Sequence, residues 1–342
     1  MGGKVIFTEK PRDSIENIFD RTNEINTIKK VMDTGDWLAI LGPRMIGKTS
    51  LAKAILNEYK KDYNTLYIDL TGIKNSGDAV NRIFNNVPKN LIDKFKDNFE
   101  ILGINIMGNS IKFNRKVNNT GIMESLFKLL SKKKTMIVLD EFQELSFGIN
   151  HFINMLHNIM MENHNIIFIF TGSSIGLMKT LLEQEGKNPL AGRNPVRVVL
   201  EPWDRQTAFD YLKSGLTNCN ANISEIEINE AINEIGTIAG WLNFYGKRRC
   251  IYDHNSALNE SIEEAVKVAK YELANIINKS RWKRKALKMM AFGSSYSEIL
   301  KETKVSTSTL SNFLHKMEKL YLIKNDNRTY YITDNIYRKA IK

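Results

Sequence analysis

The chain has 342 residues, a formal net charge of +11, 42% apolar and 25% charged residues. That apolar fraction excludes wholesale disorder, and no stretch approaches the ~18 consecutive apolar residues that cross a bilayer. The start, MGGKVIFTEKPRD, has no long apolar core and no small-residue cleavage site, and Cys219 and Cys250 are too few for a disulfide framework or a four-ligand zinc site. A soluble cytoplasmic protein of two or three domains is expected, at ~150 residues per domain.

In chain order, short apolar runs alternate with helix-length segments through the first two-thirds. The runs are Trp37–Leu41, Thr65–Leu70, Met136–Leu139, Ile166–Phe170 and Val196–Leu200; Thr49–Lys61 and Thr120–Lys132 are two of the helical segments between them. Several runs are rich in Ile and Val, as buried parallel strands are, and the alternation predicts an α/β fold, a parallel sheet covered by helices on both faces. Ile104, Ile106, Ile111 and Phe113 flank Gly108-Asn109, which predicts a hairpin insertion at 101–114, either a cover for apolar surface or a partner-binding element. After Pro202 the pattern is helical from Arg205 to about Ile277. A helix, helix, turn, helix and alternating hairpin follow. The predicted domains are therefore 1–202, 203–277 and 278–342.

The first run leads into Gly42-Pro43-Arg44-Met45-Ile46-Gly47-Lys48-Thr49, then Ser50 and a helix. This fits G-x-x-x-x-G-K-[ST] in the strand–loop–helix setting that the motif requires. Glycines let successive amides converge on phosphate oxygens, and the helix N-terminus adds partial positive charge. Lys48 would reach the β- and γ-phosphates and Thr49 would ligate Mg²⁺. Met136–Leu139 runs into Asp140 and Glu141. A carboxylate at a strand tip can hold Mg²⁺ through water, and Glu141 stands where it would polarise an attacking water. Ile166–Phe170 runs into Thr171-Gly172-Ser173-Ser174, where Ser173 either contacts γ-phosphate and water or caps the next helix. Arg193, in Pro189-Leu190-Ala191-Gly192-Arg193, either stabilises the transferring phosphate, in its own subunit or a neighbour's, or is an ordinary surface residue. His151, His157 and His164 lack the spacing of a helical metal face.

Residues 278–342 carry 15 Lys/Arg against 5 Asp/Glu, nearly the whole excess charge of the chain. Glu298–Thr303 reads as one helix, Lys304-Val305 as a turn and Ser306–Leu320 as a second helix. Tyr321-Leu322-Ile323 and Tyr330-Tyr331-Ile332 then flank a polar turn, which gives a winged helix-turn-helix pattern. Thr307, Ser308, Ser311, Asn312 and His315 would line the outward face of the second helix, and Arg281, Lys283, Arg284, Lys285 and Arg328 would meet phosphates of duplex DNA. Docking of a protein partner is the alternative.

The ordered set of P-loop, Asp140–Leu145 (DEFQEL), Thr171–Ser174 (TGSS), Pro189–Arg193 (PLAGR), a helical segment with Gly240-Trp241-Leu242 and a winged helix resembles the archaeal ATPase family. This is a branch of the STAND class of P-loop NTPases related to AAA+ proteins. Phe19-Asp20-Arg21-Thr22-Asn23-Glu24 resembles the family's N-terminal box, with Asp20 where a small residue or Asn is commoner. The resemblance implies a five-stranded core with the Thr171 strand between the P-loop and Asp140 strands, a helical lid at 203–277, ATP or ADP and Mg²⁺ as cofactors, and docking of lid and winged helix that changes with nucleotide. It implies that Arg21 and Glu24 hold the N-terminal segment over the nucleotide and that Trp241 packs near the base; an ion pair and a buried core aromatic are the structural alternatives. Two functions are compatible with these residues. One is an ATP-hydrolysing switch of slow turnover that governs a DNA-binding winged helix. The other is a nucleotide-holding regulatory or scaffold protein whose tail grips a protein. Self-association is left open.

Overall fold

The computed structural model describes residues 7–88, 104–107, 110–113, 119–145, 149–162, 165–172 and 194–341. These divide into two compact units: one takes 12–41 and 48–199, the other the chain start, 42–47 and everything from 200 onward.

The first unit is built on five strands: β1 (Leu38–Leu41), β2 (Asn64–Asp69), β5 (Thr135–Asp140), β6 (Ile166–Thr171) and β7 (Val196–Val199). Their order across the sheet is β2-β5-β6-β1-β7, and every pairing is parallel. The burial pattern follows from that order. The three interior strands are buried at every residue, while β2 at one edge and β7 at the other are only partly buried. An interior parallel strand is covered by helices on both faces, so its sequence is continuously apolar. The helices include α1 (Thr22–Thr34), α2 (Lys48–Tyr59), α3 (Ser76–Asn85), α4 (Asn119–Leu130) and α5 (Ile149–Glu162). One face of the sheet is filled by aromatic rings: Phe168 meets Trp37 and Phe127 edge-on at centroid distances of 4.8 and 5.2 Å. The Trp37 indole N–H is satisfied by the Ile166 carbonyl at 3.1 Å. The predicted insertion is an antiparallel hairpin, β3 (Ile104–Met107) with β4 (Ser110–Phe113); Gly108 and Asn109 lie outside the described residues.

The second unit begins with four helices, α6 (Arg205–Asn218), α7 (Glu225–Ile235), α8 (Ala239–Arg249) and α9 (His254–Ile277). Asp204, Ser224 and Asp253 cap three of them through side-chain oxygens that accept backbone N–H groups. Cys219 and Cys250, which end α6 and α8, form a disulfide. Then come α10 (Arg281–Phe292), β8 (Ser294–Ser295), α11 (Tyr296–Thr303), α12 (Thr307–Lys319), β9 (Ile323–Asp326), β10 (Thr329–Ile332) and α13 (Asn335–Ile341). Lys304 ends α11 in a left-handed conformation, and the Ser306 hydroxyl caps α12 by accepting from the Thr309 amide. Asn327 and Arg328, both at positive φ, form the two-residue turn between β9 and β10. Two elements add to the sequence expectation: β8 extends the hairpin to a three-stranded antiparallel sheet, and α13 packs on α9. No described helix is long and apolar enough to cross a membrane.

Candidate functional site

Asp140 is the last residue of β5, and the parallel pairing decides what surrounds it. On one side lies β2, with Tyr67 two residues short of the rung that pairs Asp69 with Asp140. On the other lies β6, which ends in Thr171. From above comes the first turn of α2 with Thr49. The Asp140 carboxylate is 3% exposed, so it must be satisfied internally. Thr49 Oγ1 donates to Oδ2 at 2.9 Å, and the Tyr67 phenol donates to the same oxygen at 2.5 Å. Thr171 Oγ1 donates to Oδ1, and the Glu141 amide reaches that oxygen at 3.1 Å. Burial and then the bond to Asp140 push the Tyr67 phenol far above its ordinary pKa, so it stays a donor. The Lys53 ammonium sits over the Tyr67 ring, 4.2 Å from its centroid. Thr49 and Asp140, predicted metal ligands separated by ninety-one positions, thus share one hydrogen bond. Their hydroxyl and carboxylate oxygens are the donor chemistry that Mg²⁺ takes.

Glu141 leaves the strand in a left-handed conformation, φ 53°. That turn swings its carboxylate away from the strand axis, where Gln143 Nε2 donates to it. Gln143 Oε1 is buried without a hydrogen-bond partner among the described residues. Lys48 opens α2 and is 7% exposed. The Ser50 hydroxyl accepts the Arg12 amide at 3.1 Å. Arg21, also 7% exposed, pairs with Glu24 at 2.9 Å across the first turn of α1. Ser173 and Arg193 lie outside the described residues. No group of three or more His, Cys, Asp and Glu fit to hold a metal occurs among the described residues.

In the second unit, the loop 42–47 takes a backbone that its sequence permits. Gly42 has φ 149°, and a Cβ there would stand 2.6 Å from the Leu200 carbonyl oxygen, so no other residue fits. Met45 and Gly47 are also left-handed, with φ 62° and 107°. Pro43 and Ile46 lie between these bends, with Ile46 buried. Arg44 pairs with Glu272 of α9 at 2.9 Å. The Met45 carbonyl accepts the Gly240 amide at 2.8 Å. The neighbouring Trp241 is wholly buried, edge-on to Phe244, and its indole N–H donates to Asp334 at 2.9 Å. The other oxygen of Asp334 accepts the amides of Ile336 and Tyr337 and so caps α13. Enclosure of this carboxylate raises its pKa to about 6, against the pull of the Trp241 bond.

Sequence reading missed Tyr67, Gln143 and Asp334. A tyrosine inside the aliphatic run Thr65–Leu70 is the signal for the first, legible once that strand is placed beside Asp140. A model of an ATPase domain found predominantly in Archaea matches residues 18–243. Among solved structures, a Walker-type ATPase of Pyrococcus abyssi is similar over 98% of this chain and 99% of its own, at 25% identity and TM-score 0.81. The ORC2 protein of Aeropyrum pernix, solved in ADPNP–ADP complexes, is similar in fold over 98% of this chain and 94% of its own, at 13% identity and TM-score 0.66. No curated protein matches in sequence.

Proposed function

We propose that this chain, which belongs to the family of ATPase domains found predominantly in Archaea, is a Mg²⁺-dependent ATP-hydrolysing switch whose C-terminal module is a winged helix that binds duplex DNA. The observation that carries the nucleotide half is the Thr49–Asp140 hydrogen bond of 2.9 Å, which joins the helix after the P-loop to the acidic strand tip. In this reading residues 1–202 are the catalytic core, 203–277 the lid and 278–342 the DNA module. Backbone amides of 42–47 and the Lys48 ammonium bind the β- and γ-phosphates, with Ser50 in the same first turn. Thr49 and Asp140 would hold the Mg²⁺ ion through their hydroxyl and carboxylate oxygens. Glu141 takes a proton from the water that attacks the γ-phosphorus, and the β–γ bridging oxygen leaves with ADP. Bound Mg²⁺ supplies charge neutralisation on the phosphates. Ser173 positions the water, Arg193 stabilises the transferring group, and Arg21 holds the N-terminal segment over the nucleotide; Trp241, wholly buried and bonded to Asp334, is instead a core aromatic. Turnover is slow, as befits a switch.

The coupling half is supported by a short path in the second unit. The Met45 carbonyl binds the Gly240 amide, and the next residue, Trp241, binds Asp334 at the foot of the C-terminal module. A shift at the loop therefore bears on that module through two adjacent residues. DNA is supported by the face of α12. Thr307, Ser308, Ser311, Asn312 and His315 are exposed, while Leu310, Phe313, Leu314 and Met317 are buried. Lys279, Arg281, Arg284, Lys285 and Lys288 line one surface hollow.

The test is a steady-state ATPase assay with and without duplex DNA, with Glu141→Gln as the diagnostic variant. The variant should bind ATP with unchanged affinity and lose turnover by ~100-fold or more. Wild-type turnover in the variant refutes Glu141 as the base. With about five phosphate contacts, DNA affinity should fall several-hundredfold between ~50 and ~200 mM salt. No binding at low salt removes the DNA half.

A further inference from the structure

An ionised carboxylate offers about four lone-pair sites, two on each oxygen. At Asp140 all four are occupied by the protein itself: Oδ1 by Thr171 and the Glu141 amide, Oδ2 by Thr49 and Tyr67. Such a carboxylate has no lone pair left for the water of a metal's hydration shell, so a donor must leave before that water can bind. Three of the four are ill placed to leave. Thr171 is wholly buried, the Glu141 amide is fixed by the chain, and the Thr49 hydroxyl can keep donating to Asp140 while its own lone pairs face a cation. Tyr67 differs. It is half-buried on the edge strand β2, its phenol ends a side chain that can rotate, and it is the donor Asp140 would lose without disturbing the P-loop helix or the interior strands.

We propose that the Tyr67 hydroxyl stands in for the metal's water at Asp140 in the metal-free protein and is displaced when the divalent cation enters with nucleotide. This rests on the reading of Asp140 as the metal-facing carboxylate and adds to it a residue that regulates the same site. Tyr67 keeps the buried carboxylate satisfied between turnovers, and it competes with the cation for one oxygen. Removal of its hydroxyl therefore tightens metal binding, the opposite of what a residue that simply positions Asp140 would do.

The experiment uses the full chain with ADP and Mn²⁺ as the probe, free Mn²⁺ being followed by electron paramagnetic resonance. Tyr67→Phe should bind Mn²⁺ more tightly than wild type by at least about tenfold, the lower end of the worth of one hydrogen bond to a charged group. It should also melt at a lower temperature than wild type in EDTA, with the gap closed by saturating Mn²⁺ and ADP. Equal or weaker Mn²⁺ binding by the variant, or a melting gap that metal does not close, overturns the displacement. A wild type that binds no Mn²⁺ in the presence of ADP overturns instead the reading of the metal site, and the displacement with it. If the variant fails to fold, 3-fluorotyrosine placed at position 67 in the otherwise unaltered chain reports the same event. Its ¹⁹F resonance should shift when Mg²⁺ is added to the ADP-bound protein, and an unmoved resonance refutes the proposal.

Discussion

Asp334 should make the stability of this protein fall as pH rises, against the usual behaviour of a hydrogen-bonded carboxylate. Its pKa is raised from 3.8 to about 6, with burial as the leading cause. Between those two values the folded chain carries a proton here that the unfolded chain has released. Stability therefore drops with rising pH across that window; the contribution is fully present below about 3.8 and lost above about 6. A shift of this size corresponds to about 3 kcal/mol, and to nearer 2 kcal/mol once the residual solvent contact of the residue is allowed for. The perturbation is Asp334→Asn. Its amide oxygen can still accept the Ile336 and Tyr337 amides, whereas its NH₂ would face the Trp241 indole N–H, donor against donor. That mismatch costs about 1–3 kcal/mol at every pH. The diagnostic quantity is therefore the difference in slope between the two proteins. Urea unfolding from pH 4.5 to 7.5 should show wild type losing about 1–2 kcal/mol more than the variant across the range. Exposed carboxylates with lowered pKa, such as Glu298 and Glu302, act in the opposite sense, but equally in both chains. Parallel stability curves would refute the reasoning.

The Cys219–Cys250 disulfide joins positions 31 apart, and closing such a loop is worth about 3–4 kcal/mol through the unfolded chain. Cys219→Ser, or reduction of wild type, should lower the urea midpoint accordingly; two titratable thiols in native, unreduced protein would show that the bond is absent. At Gly240 an added Cβ would stand 2.7 Å from the Met45 carbonyl oxygen and 2.8 Å from two Met45 side-chain carbons. Gly240→Ala should cost about 1–3 kcal/mol, read as a lower melting temperature. A melt identical to wild type would mean that Met45 gives way freely and that the loop-to-helix contact carries no strain.

What the sequence makes legible is what the chain encodes within a few residues. The strands β1, β5 and β6 stand out because both their faces are buried, which forces unbroken apolar runs, and the positions of the parallel strands are read off to within a residue or two. The P-loop is legible for a related reason. Its geometry is a property of consecutive backbone bends, and Gly42 and Gly47 announce them. The turn at Lys304 and the helix that starts after it belong to the same class, because a helix end is chemically local. Asp140 is intermediate, since an acidic tip on an apolar run is local but its partner Thr49 is not.

The groups that escape sequence reading have their partners far away in the chain. Tyr67 meets Asp140 across 73 positions, Trp241 meets Asp334 across 93, and the cysteines close a separation of 31. None of these pairings leaves a periodic trace. Two cysteines were too few to suggest a framework, and yet one bond between two helix ends needs no framework. Trp241 shows the same limit from the other side: as a residue type it suits packing against a base or a core equally well, and the structure gives its indole N–H a carboxylate. These pairings share a physical character. Each places a polar group where burial makes an unmet partner costly, so each is a point at which changing one side chain alters the demands on another. Asp140 accepts four hydrogen bonds from the protein itself, and Asp334 holds a charge that its surroundings resist. The local rules build a sheet, a loop and a helix end; the long-range polar pairs decide which protonation and hydrogen-bonding states that scaffold prefers.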